Sequence, residues 1–408
     1  MNISRRFLLA ISILFLLFLI PFLRSFGGID IIGIQWFILP LFLLSLFIYY
    51  RKSLLTFEDN LINKSYVVFV FFCLLSFFYS YNIYITLIDF TRVVTTYFLF
   101  IFFSIILVRF KPSFLILSML ISLVLFLESL YSIYPLLYEF AYFLKGQTLS
   151  LKPNFFIGIA ANKNITSASL ALKFPFLIYL FYSIKSSYFK YLLLIPIYFV
   201  LTSILFLNTR SVFLSISIFF FLFLLFILFF KRKFILNTFF LLSVVLISLL
   251  TNLNFSLNDS ISQASTISVS SGNSSGRFEL WSNALDFFVK HPIIGCGLGN
   301  WKVESLPYWS KLQSGYIVPY HAHNDYLEIL TELGIFGFLS YLSIFIIVFY
   351  YNLKSFILNQ RFSTFIVFSS FFVYSIDAFF NFPLERTIMQ IPFAFLLATT
   401  YFTSFSNE

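Results

Sequence analysis

Twelve apolar runs, each near the length of a bilayer-crossing helix, follow one another along this chain. A hydrocarbon core about 30 Å thick needs about 20 apolar residues per helix. On that ruler spans fall near residues 7–24, 31–50, 65–81, 89–108, 113–134, 165–184, 188–207, 211–230, 234–251, 333–352, 363–381 and 385–403. None alternates polar with apolar residues as a barrel strand would. Charged residues supply 10% of the chain and Phe supplies 64 positions, against roughly 25% charged in soluble domains. That surface cannot be hidden in water, so a soluble globular protein and a disordered chain are both excluded. The expected fold is an all-α polytopic membrane protein.

The net charge of +10 would suggest nucleic acid in a soluble protein. Here the cations sit in short clusters between spans, which points to membrane topology instead. Arg5/Arg6, Arg51/Lys52/Lys64, Arg109/Lys111, Lys185/Lys190, Lys231/Arg232/Lys233 and Lys354/Arg361 fall on alternate connections. The opposite connections hold only Arg24, Lys145, Lys152, Lys163, Arg210 and Arg386. Both termini are therefore expected in the cytoplasm. The first run resembles a signal peptide but lacks a small-residue cleavage site, so it reads as a retained helix. Cys73 and Cys296 give no disulfide framework and no metal-binding spacing.

The chain divides into residues 1–251 with nine spans, an outer loop over 252–332, and residues 333–408 with three more spans. In the loop, Asn252 to Gly276 is rich in Ser, Asn and Gly and reads as a linker. Phe278, Trp281, Leu285, Phe288 and Val289 recur at helical spacing, which predicts an amphipathic helix near the membrane surface. The glycine-rich segment from His291 to Gly299 ends it.

The densest polar cluster is His321-Ala-His323-Asn324-Asp325. Asn324 or Asp325 suits the N-cap of the next helix, and Gly334 and Gly337 mark a bend or close backbone contact. His323 then precedes a helix N-terminus, whose dipole disfavours imidazolium. A neutral imidazole can act as a general base; the alternative is a histidine that only caps the helix or bonds a loop. His321 and His323 could also begin a metal site, with a third ligand from His291, a carboxylate or Cys296, but no metal or other cofactor is expected.

Arg210 and Arg277 fall at the outer boundary, where a guanidinium can grip phosphate with two parallel bonds or simply snorkel to water. Arg92 and Lys173 lie within apolar runs and are functional candidates by position. Asp89, three residues before Arg92, offers an ion-pair partner. Glu328 and Glu332 share one helix face, which suits a polar rim better than support for the base. Asp377 and Asn381 are likewise four apart.

The stretch from Gly276 to about Leu342 resembles the O-antigen ligase and polymerase superfamily of bacterial membrane glycosyltransferases. The pieces are Arg277 with Trp281, then Lys290-His-Pro-Ile-Ile-Gly-Cys-Gly-Leu-Gly-Asn300, then His323-Asn324 followed by Gly334-x-x-Gly337. Asn162-Lys-Asn and Asn381-Phe-Pro resemble it too. The resemblance implies a GT-C-type fold in the bacterial inner membrane, with a periplasmic active site. It implies a glycan donor on undecaprenyl pyrophosphate and, in the ligase branch, lipid A core as acceptor. It further implies inverting transfer without a metal, His323 as base, and Arg277 and Arg210 on the pyrophosphate. His321, Asn324, Glu328, Arg92 and Lys173 stand as supporting residues.

Polymerases of the superfamily use a second lipid-linked glycan as acceptor, and a third branch modifies protein hydroxyls. From another class, a lipid-linked glycan flippase would line its path with Arg92 and Lys173. A flippase commonly shows inverted repeats, none of which is evident here.

Overall fold

The structure is a computed structural model that describes residues 3–23, 32–54, 60–143, 157–265, 276–309 and 320–405. Arg24, Lys145, Lys152 and parts of the loop expected over 252–332 lie outside these residues. Every regular element described is helical. In chain order they are α1 (Ile3–Leu19), α2 (Gly33–Leu54), α3 (Leu61–Leu75), α4 (Ile83–Phe110), α5 (Phe114–Phe143), α6 (Lys163–Ser183), α7 (Ser187–Leu192) and α8 (Leu194–Leu207). There follow α9 (Arg210–Phe230), α10 (Ile235–Ser265), α11 (Arg277–Lys290), α12 (Trp301–Glu304), α13 (Leu306–Trp309), α14 (Asp325–Asn359), α15 (Phe362–Phe380) and α16 (Thr387–Phe405).

Ten stretches among the described residues are long and apolar enough to cross a membrane. They lie on α1, α3, α4, α5, α6, the α7–α8 pair, α9, α10, α14 and α15. Shorter apolar stretches, Gly33–Ile48 and Thr387–Phe402, lie on α2 and α16. Together they coincide with the twelve runs read from the sequence. This is an all-α polytopic membrane protein.

Two boundaries differ from expectation. The helix α10 does not stop near residue 251 but continues to Ser265, through half of the expected linker. No Gly or Pro occurs between Asn252 and Ser265, so nothing in the backbone chemistry ends it. The helix α14 begins at Asp325, eight residues before the apolar run it carries.

The chain forms two compact units that do not follow chain order: residues 1–35, 110–266 and 355–374, and residues 36–109, 267–354 and 375–408. In the first unit, α6 is almost wholly buried, and its run of Thr166, Ser167, Ala168, Ser169 and Ala171 allows close helix contact. Lys173 of α6 pairs with Glu128 of α5 at 2.6 Å, and Tyr182 bonds Thr238 of α10 at 2.8 Å. Phe226 stacks on Phe365 with centroids 4.7 Å apart.

In the second unit, Ser343 of α14 bonds Ser65 of α3 at 3.0 Å. Asn352 donates to Thr400 of α16 at 2.9 Å. Aromatic pairs Phe69–Tyr341 and Phe103–Phe395 fill the spaces between these helices. All the residues of the candidate site described next belong to this second unit, except Arg210 and Lys173.

Candidate active site

The site starts from a break in α14. Gly334 has φ 67° and ψ −171°, a region essentially restricted to glycine. A Cβ there would also overlap the Ile293 carbonyl. The break frees backbone groups that an unbroken helix would pair internally. The segment before α12 takes them up: Cys296 N donates to Thr331 O at 3.1 Å, and Gly297 N to Glu332 O at 2.9 Å. In return Ile335 N donates to Pro292 O at 2.9 Å. The glycine-rich loop is thus stitched into the membrane helix.

Asn300 carries the loop onward. Its Oδ1 accepts from Asn82 N at 2.7 Å, and its Nδ2 donates to Thr86 Oγ1 at 2.8 Å and Leu298 O at 3.0 Å. Gly299 fits because a side chain would strike the Asp89 carboxylate. This anchoring delivers Lys302 to a cluster of charges. Lys302 Nζ lies 3.2 Å from Asp89 and also pairs with Glu385. Arg92 Nη1 bonds Asp89 at 2.6 Å and Glu385 at 3.0 Å. His321 closes the set, with Nδ1 2.8 Å from Glu328 Oε1 and Nε2 3.1 Å from Glu385 Oε2.

Glu385 therefore binds three cationic side chains from three separate parts of the chain. Burial alone would raise its pKa, but His321, Lys302 and Arg92 hold it well below the usual carboxylate range. Burial likewise opposes charge on Lys302, yet Asp89 and Glu385 outweigh it and raise the pKa. The space left among Asp89, Arg92, Glu328 and Glu385 is about 20 Å³, room for one water.

His323 lies beside this cluster, two residues after His321. Asn324 caps α14, its Oδ1 accepting from Leu327 N at 3.1 Å. His323 precedes that cap in a left-handed conformation, φ 51°, uncommon for a residue with a Cβ. Its Nδ1 is buried with no hydrogen-bond partner among the described residues. Burial first, then the positive charges of Arg277 and His321, push its pKa down to about 4, against a smaller opposing pull from Glu328. For His321 burial works the same way, but Glu328 and Glu385 prevail and raise its pKa to about 10. Two residues apart, one ring is neutral and the other is charged.

Phe382 joins the two. It stacks on His321 at 4.2 Å and meets His323 edge-on at 5.0 Å. The Arg386 guanidinium lies 5.1 Å from its ring centroid. Arg277, the first residue of α11, makes a long 3.5 Å contact to Asn381 Oδ1 and lies over Phe380 at 5.8 Å. Asn381 bonds Asp377 in turn. Trp281, one turn along α11, packs on Phe379 at 5.3 Å.

Residues 194–342 match the family model described as O-antigen ligase. Over that stretch the chain is similar to the O-antigen ligase family. No curated protein matches it. The long apolar helices make the chain a multi-pass membrane protein. The matched stretch runs from α8 into α14 and takes in Arg210, Arg277, His321 and His323. Asp89, Arg92 and Glu385 lie outside it.

Of the residues singled out from the sequence, the second unit brings together His323, His321, Asn324, Glu328, Arg92 and Arg277. Arg210 belongs to the first unit, as the first residue of α9 after Thr209. Lys173 also belongs there and is taken up by Glu128 and Ser169, at 2.6 Å each. Glu328 is not a rim residue: it is buried, clamps His321 and accepts from Ala322 N at 3.0 Å. Sequence reasoning missed Glu385 and Lys302, and met Phe382 only within Asn381-Phe-Pro. A visible signal existed for Glu385, an acidic residue placed at the mouth of the last apolar run.

Proposed function

We propose that the chain transfers a glycan from undecaprenyl pyrophosphate to a hydroxyl of lipid A core at the periplasmic face of a bacterial inner membrane. The observation that carries this reading is His323, left-handed at φ 51° just before α14, with its Nδ1 buried and without a hydrogen-bond partner among the described residues. A neutral ring keeps one nitrogen lone pair and can take the acceptor proton as the hydroxyl attacks C1. Attack opposite the leaving group gives inversion.

Cleavage at C1 develops negative charge on the departing pyrophosphate. A fixed cation there favours the transition state over the ground state. Arg277 serves that role, and its forked guanidinium matches phosphate oxygens. A part for Arg210 on the same group rests on the resemblance alone. Arginines in these roles make a divalent metal unnecessary to the reaction as proposed. Both termini lie in the cytoplasm by the distribution of Lys and Arg.

The test uses purified protein in nanodiscs with a lipid-linked donor and a chelator. Lipid A core, a second donor and a peptide are offered in separate reactions. Transfer to lipid A core is expected. Chain growth on the second donor alone would make the enzyme a polymerase, and transfer that stops with chelator would overturn the metal-free mechanism.

A further inference from the structure

His321 and His323 both lie against Phe382, yet their surroundings are opposite. Each ring nitrogen of His321 faces a carboxylate oxygen, Nδ1 that of Glu328 at 2.8 Å and Nε2 that of Glu385 at 3.1 Å. An ionised carboxylate only accepts hydrogen bonds. Both contacts are satisfied together when both nitrogens carry protons, so the ring is a cation held on two sides. Its flat face lies on Phe382 with 10° between planes, and Phe382 meets His323 at 77°.

We propose that His321 is a fixed imidazolium that positions His323, mechanically through the Phe382 ring and electrostatically through its own charge. Its catalytic meaning rests on the reading of His323 as the base. The groups facing His323 are Arg277 from α11, Glu328 from α14 and His321 from the same loop. Those facing His321 are Glu328 and Glu385, with Asp325 of α14 acting more weakly, and Glu385 is shared with Arg92 of α4 and Lys302 of α12. Near His323, the carboxylate of Glu328 draws a proton in, while Arg277 and His321 keep it out. Without the His321 charge, Glu328 is left less compensated, and the titration of His323 moves upward. A histidine that served only as packing would leave that titration where it is.

The chain has three histidines, so full-length protein labelled with 15N-histidine in nanodiscs gives three ring titrations by NMR. His291→Gln and His323→Gln assign them. The expected spectrum shows His321 doubly protonated at neutral pH and His323 neutral, with its midpoint well below the ordinary histidine value of 6.5. In His321→Gln the His323 midpoint should rise toward 6.5, and in His321→Lys, which keeps the charge, it should stay low. An unmoved midpoint in His321→Gln overturns the proposal, even if transfer falls. Should that variant fail to fold, the unaltered protein decides: a neutral His321 ring at neutral pH overturns it. Transfer by His323→Gln at the unaltered rate would instead remove the base, and the two titrations would still settle the charge on His321.

Discussion

Replacing Lys173 separates a residue that works on substrate from one that holds helices together. Lys173 and Glu128 are 4% and 1% exposed and 2.6 Å apart. The other carboxylate oxygen, Glu128 Oε1, is buried without a hydrogen-bond partner among the described residues. Lys173→Ala therefore strands a buried carboxylate that has no substitute donor. Breaking one side of such a pair costs about 3–5 kcal/mol, and the missing second donor places this case toward the upper end. The double substitution Lys173→Met with Glu128→Leu removes both charges and nearly preserves volume. Swaps of that kind are neutral or stabilising by about 1–4 kcal/mol. The assay is thermal denaturation in detergent at one scan rate, read by fluorescence-detected size exclusion, beside glycan transfer at a temperature where all variants are folded. The single variant should melt far below the unaltered protein, and the double variant should recover and retain transfer. A folded double variant without transfer would refute the structural reading of the pair. A double variant as unstable as the single one would refute the energetic argument.

His323→Ala should abolish transfer while the protein still elutes as a folded species; undiminished transfer by that variant would remove the base. Because burial, Arg277 and His321 hold His323 near pKa 4, transfer should persist as pH drops below 6.5 and fail only toward 4, which a pH–rate profile reads directly. Arg277→Lys keeps charge but loses the fork, so kcat should fall sharply; unaltered kinetics would leave Arg277 an anchor. The folded protein holds the His321 proton to about pH 10 and the unfolded chain only to about 6.5. That residue's contribution to stability is thus full below pH 6.5 and is lost as pH rises toward 10, so melting temperature should decline across that window and flatten in His321→Gln. Gly334→Ala should destabilise by about 1–3 kcal/mol from its backbone conformation, seen as a lowered melting temperature together with lost transfer.

The spans were legible because lipid demands a long apolar run for every crossing, and such runs cannot hide in a sequence. Gly334 was legible as a bend, since glycine inside a helix run needs a reason. The charge cluster was not. Arg92 and Glu385 lie 293 positions apart, and no periodicity links residues so distant. The Asp89–Arg92 pair was readable because three residues along a helix meet on one face. Lys173 was visible as a charge in an apolar run, and Glu128 carries the same mark in the run 113–134, but no spacing pairs residues of different helices. The continuation of α10 was hidden by composition: Ser and Asn suggest a linker, yet neither stops a helix as Gly or Pro does.

The broken membrane helix has a consequence for exchanging parts between related enzymes. Residues 292–297 and 331–335 complete each other's main-chain bonding, so neither is an autonomous module. A chimera that imports one without the other would lose three backbone pairs at once wherever the imported segment follows a different main-chain path. Recombination that transplants acceptor preference should therefore succeed only when its crossover points leave both segments from a single parent.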